Sequence, residues 1–245
     1  MNILWETRAV YERQRIQTSL IPGTEADLLD LKKRREQWEK GKAIDQKAVA
    51  IGNISVRAQS LDRLREKLLR MSYGQVGENK PNFLYRTDWK LDQTNAKLGQ
   101  SAALAIAISR AVKSVVMADA ERSGIERPQR CLNLLLLRGG RYDRRHGSQN
   151  AHQDGPRDAG LRYMVTFLGP STRFYPGELH PNEMNKNSLR NQNVGRPEEY
   201  ERGVVVRGDE LTLHAAPEEY SWYGNVTEEV RLFATATMHA YVDGS

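Results

Sequence analysis

From Pro128 onward the chain breaks into short apolar segments separated by paired turn residues, and this rhythm restricts the fold more than any other feature of the sequence. Cys131 to Leu137, Leu161 to Leu168, Gly203 to His214 and Val230 to Met238 each read as strands. The second and fourth mix aromatic with β-branched residues, a composition that suits a pleated, half-buried surface. Gly139-Gly140, Gly155-Pro156, Gly169-Pro170 and Pro176-Gly177 punctuate the strands, and Gly208-Asp209 places a turn inside the third.

Residues 1 to 127 read as mainly helical. Thr24-Glu25-Ala26-Asp27 resembles a capping box opening a helix that carries Leu28, Leu29, Leu31 and Trp38 and ends near Gly41. Its Lys32-Lys33-Arg34-Arg35 run reads as a solvated face before it reads as a phosphate site. A second helix starts at Ser60, with Leu61, Leu64, Leu68 and Leu69 at helical spacing. A third runs from about Lys97 to Arg122. Its small and β-branched face (Ala102, Ala105, Ile108, Val112, Val115, Val116) suits packing against a sheet. The whole is read as one α+β domain over 1–245. Residues 1–127 give helical support and 128–245 a β-rich core.

Composition narrows the function classes. The 37 Lys and Arg against 31 Asp and Glu give a net charge of +6, compatible with anionic ligands without singling out nucleic acid. No aromatic ribonucleoprotein pattern, zinc-finger spacing or helix-turn-helix is legible, so nucleic acid is not the expected partner. The one cysteine, Cys131, lies in an apolar run and reads as a core residue, which leaves no disulfide and no thiolate metal cluster. The longest apolar run, Ala102 to Ile108, is too short to span a bilayer, and a cytoplasmic location without membrane partners is the expectation.

The chemistry is concentrated at Asn150-Ala151-His152-Gln153-Asp154-Gly155. Residues two apart on an extended backbone project to the same side, so His152 and Asp154 can share one ligand. A pair of this kind arises often by chance and needs a third donor. His214, at the end of a short strand after the Gly208-Asp209 turn, is the best placed. Two neutral imidazoles and one carboxylate hold Fe(II) on one octahedral face and leave the remaining positions open.

Further on, alternation puts Arg231, Phe233, Thr235 and Thr237 on one face of the last strand. An arginine on an inner face needs an anion there, either a small dicarboxylate or a neighbouring acid such as Glu228 or Glu229.

Taken in order, His152-x-Asp154, the strand Leu161-Arg162-Tyr163-Met164-Val165-Thr166, the Gly-Asp turn before His214 and Arg231-x-x-x-Thr235 resemble the Fe(II)/2-oxoglutarate-dependent oxygenases. The prolyl-hydroxylase-like branch is the nearest in pattern. Leu168-Gly169-Pro170-Ser171-Thr172 is also similar to a related bacterial domain family. The resemblance spans Cys131 to Met238. It implies a double-stranded β-helix, or jelly-roll, core in the C-terminal half, packed against the N-terminal helices. It implies iron ligation by His152, Asp154 and His214, with 2-oxoglutarate and dioxygen as cosubstrates. Arg231 would anchor 2-oxoglutarate, helped by Thr235 and Tyr142. A carboxylate at Asp154 favours hydroxylation or another oxidation over halogenation, which needs that position for a halide.

Arg162, His146 and Arg144 are candidates for contact with a small anionic or zwitterionic substrate, such as an amino acid or a biosynthetic intermediate. The stretch from Pro176 to Arg202, without clear periodicity, reads as a loop able to serve as a lid. Two other classes stay in view: a cupin-like metalloenzyme that does not use 2-oxoglutarate, and a non-catalytic basic binding module.

Overall fold

The computed structural model describes residues 16–24, 28–74, 102–124, 151–154, 160–185, 188–190, 195–215, 217 and 232–239. The first elements are β1 (Gln17–Leu20), α1 (Leu28–Glu39), β2 (Ile44–Gln46), β3 (Val49–Ser55), α2 (Ala58–Gly74) and α3 (Ala102–Arg122). After them come β4 (Gly160–Leu168), β5 (Arg173–Phe174), β6 (Gly177–Leu179), β7 (Met184–Asn185) and β8 (Ser188–Leu189). The last four are β9 (Glu198–Glu199), β10 (Val204–Asp209), β11 (His214–Ala215) and β12 (Leu232–His239). The fold is mixed α+β with antiparallel sheets.

A five-stranded sheet in the order β1-β3-β10-β4-β12 carries the main core. Along β4, Leu161, Tyr163, Val165 and Phe167 alternate to one face, joined there by Ala234, Ala236 and Met238 of β12 and Val205 of β10. Helix α3 closes that face with Leu104, Ala107, Ile108, Ala111, Val112, Val115, Val116 and Ala120, spaced as a helical stripe. Each fully buried aliphatic side chain contributes about 1.5–3 kcal/mol relative to an exposed one. A charged cluster fastens the helix to the sheet. Asp119, fully buried, accepts hydrogen bonds from Tyr163 Oη (3.0 Å), Arg207 Nη1 (2.9 Å) and Arg122 Nη2 (3.2 Å).

The N-terminal half is less helical than its sequence suggests. β1 and β3 extend the main sheet beyond β10, so residues before 127 supply two of its five strands. Val49, Ile51 and Ile54 carry the β-branched signal, but Gly52 interrupts it. A Cβ on Gly52 would collide with the Ser19 carbonyl oxygen, so glycine lets β1 approach. The expected strand at Cys131–Leu137 lies outside the described residues.

The expected strand Gly203–His214 divides. β10 belongs to the large sheet, and β11 joins a three-stranded sheet in the order β11-β5-β9. The Asp209–Thr212 turn carries the chain from one sheet to the other.

The stretch 176–202 also has more structure than expected. β6 pairs with β2, β7 with β8, and β9 with β5. Leu179 and Met184 from this stretch join Ala151, Tyr175, Leu213 and Ala215 in a second core, with Trp38 of α1 against it. Leu213 and Ala215 flank His214 and face away from it. Leu179 and Met184 therefore pack on the outer face of the small sheet, while Tyr200, from the same stretch, packs edge-on against Phe174 beside His214.

Candidate metal centre

His152 and His214 stand opposite each other in an isolated antiparallel bridge. Each backbone N–H donates to the other's carbonyl, at 2.9 and 3.0 Å. Their rings lie side by side, centroids 4.5 Å apart and planes at 50°. Gln153, buried between the two expected ligands, turns the other way and donates from Nε2 to the Leu211 carbonyl at 2.7 Å. That anchor fixes the alternation, leaving His152 and Asp154 on the same side as His214.

The turn before His214 is built around Asp209. Its Oδ1 accepts from Leu211 N–H at 3.1 Å and lies 2.9 Å from the Thr212 hydroxyl, while its Oδ2 accepts from Arg34 Nε at 2.8 Å. Thr212 Oγ1 in turn accepts from Asp209 N–H at 2.8 Å. Gly208 is required by this packing, because a Cβ there would come within 2.5 Å of Thr212 Oγ1. Leu213 N–H donates to Gln46 Oε1 at 2.6 Å, tying the end of the turn to β2.

The turn also orients the ring. His214 Nδ1 lies 3.0 Å from the Thr212 carbonyl, which an Nδ1–H satisfies, and Nε2 is then the lone-pair nitrogen. Nε2 is 3.9 Å from Asp154 Oδ2. Burial first, and then the nearby His152 and Arg162, push the His214 pKa down from 6.5 to about 4, against the raising effects of Asp154 and the Thr212 carbonyl. The ring is therefore neutral at pH 7, as a metal ligand must be.

One donor atom from each of His152, Asp154 and His214 lies within 4.8 Å of the others. That is close to the span of two metal–ligand bonds of about 2.1 Å each. Two imidazoles and a carboxylate suit iron, zinc or another first-row divalent ion. The Asp154 side chain keeps 32% exposure against 10% for His214, so the cluster opens on the carboxylate side. Phe174, paired with His214 in the sheet register, sets its ring 6.4 Å from the imidazole and edge-on to Tyr200.

Among the other expected site residues, Arg162 comes to this cluster. Its Nε is 3.6 Å from Asp154 Oδ2, and its Nη1 donates to Thr237 Oγ1 at 2.6 Å. Thr235 shares the β12 face of Thr237, opposite Met164. Tyr142, Arg144, His146 and Arg231 lie outside the described residues. His180 is exposed beside a single 3₁₀ turn and is not one of the converging donors, as its sequence setting suggests. The sequence does not single out Gln153, Thr212, Gln46 and Arg34, which hold the ligands in place. Only the Asp209-x-x-Thr212 spacing carries a local signal, that of a side-chain-closed turn.

Among the described residues no helix is long and apolar enough to cross a membrane. No model of a known protein family matches the chain, and no curated protein is significantly similar to it.

Proposed function

We propose that the chain is an Fe(II)/2-oxoglutarate-dependent oxygenase acting on a C–H bond of a small anionic or zwitterionic molecule. The observation that carries the reading is the convergence of His152, Asp154 and His214 from two strand segments, with the His214 ring neutral and the cluster open beside Asp154.

The strand order supports a jelly-roll core for this site. β4 lies in the large sheet, β5 and β9 in the small one, β10 in the large, β11 in the small and β12 in the large. A jelly roll likewise passes its chain back and forth between two sheets.

In this reading His152 and His214 would hold the metal through ring nitrogens and Asp154 would neutralise part of its charge. Iron, when bound with 2-oxoglutarate and dioxygen, supplies the oxidant: one oxygen atom enters the substrate C–H bond and the other enters succinate as CO2 leaves. The protein's part is to hold the ligands on one face, keep the other positions open, and pair cationic side chains with the acid groups of the ligands. Arg231 is proposed for the far carboxylate of 2-oxoglutarate, with Thr235 and Tyr142 beside it. Arg144, His146 and Arg162 are proposed for acidic groups of the bound molecules.

The test is spectroscopic. Anaerobic Fe(II) with 2-oxoglutarate gives a weak visible charge-transfer band, which His152→Ala abolishes and Arg231→Ala weakens. Iron binding without any response to 2-oxoglutarate would replace this reading with a cupin-like metalloenzyme. No iron binding, with salt-sensitive affinity for a polyanion instead, would replace it with a binding module.

A further inference from the structure

We infer that Arg162 recognises the acid group that chelates the metal, the near end of a 2-oxo acid or short dicarboxylate, and not a carboxylate at the ligand's far end. The inference rests on the metal reading of the His152–Asp154–His214 cluster and names the ligand chemistry read beside it.

Three observations carry it. First, Arg162 sits inside the site: its side chain is 14% exposed, and Nε is 3.6 Å from Asp154 Oδ2, a prospective ligand atom. A group so close to a ligand carboxylate reaches molecules bound next to the metal. Second, the guanidinium is held from behind. Thr237 Oγ1 accepts from Nη1 at 2.6 Å, and Thr237 stands directly across from Arg162 in the β4–β12 register. A fork held in this way loses little further rotamer freedom when it binds a carboxylate. Third, the separation from Asp154 exceeds hydrogen-bond length, so the contact is an ion pair that a better-placed acceptor can outcompete. A divalent cation drawing on Asp154 weakens that pair further, and a carboxylate at the metal's open positions takes its place. Metal and anion then bind together, each favouring the other at this arginine.

The alternative is structural: Arg162 merely orients Asp154. The two roles differ in sign at the metal. An arginine that orients Asp154 helps a cation bind. One that recognises the chelating anion opposes the cation by like charge and helps only the anion.

The experiment uses the full chain loaded with Co(II), whose visible spectrum reports both metal and chelating ligand. Pyruvate and 2-oxoglutarate are the anions, sharing the oxo-acid end and differing in the far carboxylate. Arg162→Gln is expected to keep or raise the affinity for Co(II) and to weaken both anions by about tenfold or more. Thr237→Val, which leaves the charge in place, is expected to weaken both a few-fold, and it carries the test should Arg162→Gln fail to fold. Weakening of 2-oxoglutarate alone would put Arg162 at the far carboxylate and overturn the inference. Unchanged affinity for both anions would do the same. Loss of Co(II) affinity in Arg162→Gln would assign it the orienting role. If the wild-type chain gives no cobalt signal sensitive to His152→Ala, the metal reading itself fails and this inference with it.

Discussion

Replacing Arg34 with Met tests whether the N-terminal half sets the geometry of the candidate metal centre. Arg34 on α1 is buried and donates from Nε to Asp209 Oδ2 at 2.8 Å, both side chains being 6% exposed. It also bonds the Asp45 carbonyl through Nη1. Methionine fills much of the volume and removes the charge. Breaking one side of a buried ion pair costs about 3–5 kcal/mol, because the remaining charge stays in a poorly solvating site. Asp209 keeps the Leu211 N–H and the Thr212 hydroxyl, which places the expected loss near the lower end, about 3 kcal/mol. With a urea slope on the order of 2–3 kcal/mol per molar, the unfolding midpoint falls by about 1–1.5 M. Arg34→Met, Asp209→Asn and the double variant complete a cycle, and the coupling expected for a contacting pair is at least about 1 kcal/mol. The same variant should weaken Co(II) binding, since the disturbed turn carries His214. An Arg34→Met loss below about 1 kcal/mol, or additive single variants, would refute the coupling.

Three other outcomes follow from the same contacts. Asp119→Asn leaves the buried Arg207 guanidinium without its counter-charge and is expected to cost about 3–5 kcal/mol in urea unfolding. Gly208→Ala drives a methyl against Thr212 Oγ1 and is expected to lower Co(II) affinity more than its thermal midpoint, read by titration and calorimetry. The third outcome concerns pH. The His214 pKa is lowered in the fold to about 4 from 6.5, so the unfolded chain takes up the proton first. Metal-free stability is then complete above about pH 6.5 and falls as pH drops toward 4, by a few kcal/mol at 1.36 kcal/mol per unit. His214→Phe flattens that part of the profile, and an unchanged slope would rule out His214 as its source.

The cluster was legible because its signals are local. His152 and Asp154 are two apart on an extended segment, and the Gly208-Asp209 turn points to His214 as the next ligand. The α3 stripe was legible for the same reason, since a repeat near 3.6 declares its buried face over a long run. What could not be read depends on partners far along the chain. β3 looks unremarkable alone, with Gly52 interrupting its alternation, and becomes a central strand because β10 and β1 flank it. Arg34 belongs to a basic run that reads as a solvated face, yet it is buried on Asp209 while its neighbour Arg35 pairs with Glu39 at the surface. β6 to β8 are strands of two or three residues, too short to show a period, and tertiary burial of Leu179 and Met184 decides their conformation.

The facing pair His152 and His214 ties the donor set to strand register. The two residues stand opposite each other in one antiparallel bridge, each backbone N–H bonding the other's carbonyl. A slip of one residue between these segments would turn one imidazole to the opposite face and dismantle the donor set in a single step. A bound cation would therefore act as a lock on strand register. Folding in its presence would discard the slipped pairings that a two-residue strand such as β11 tolerates, and amides 152 and 214 would exchange with solvent together.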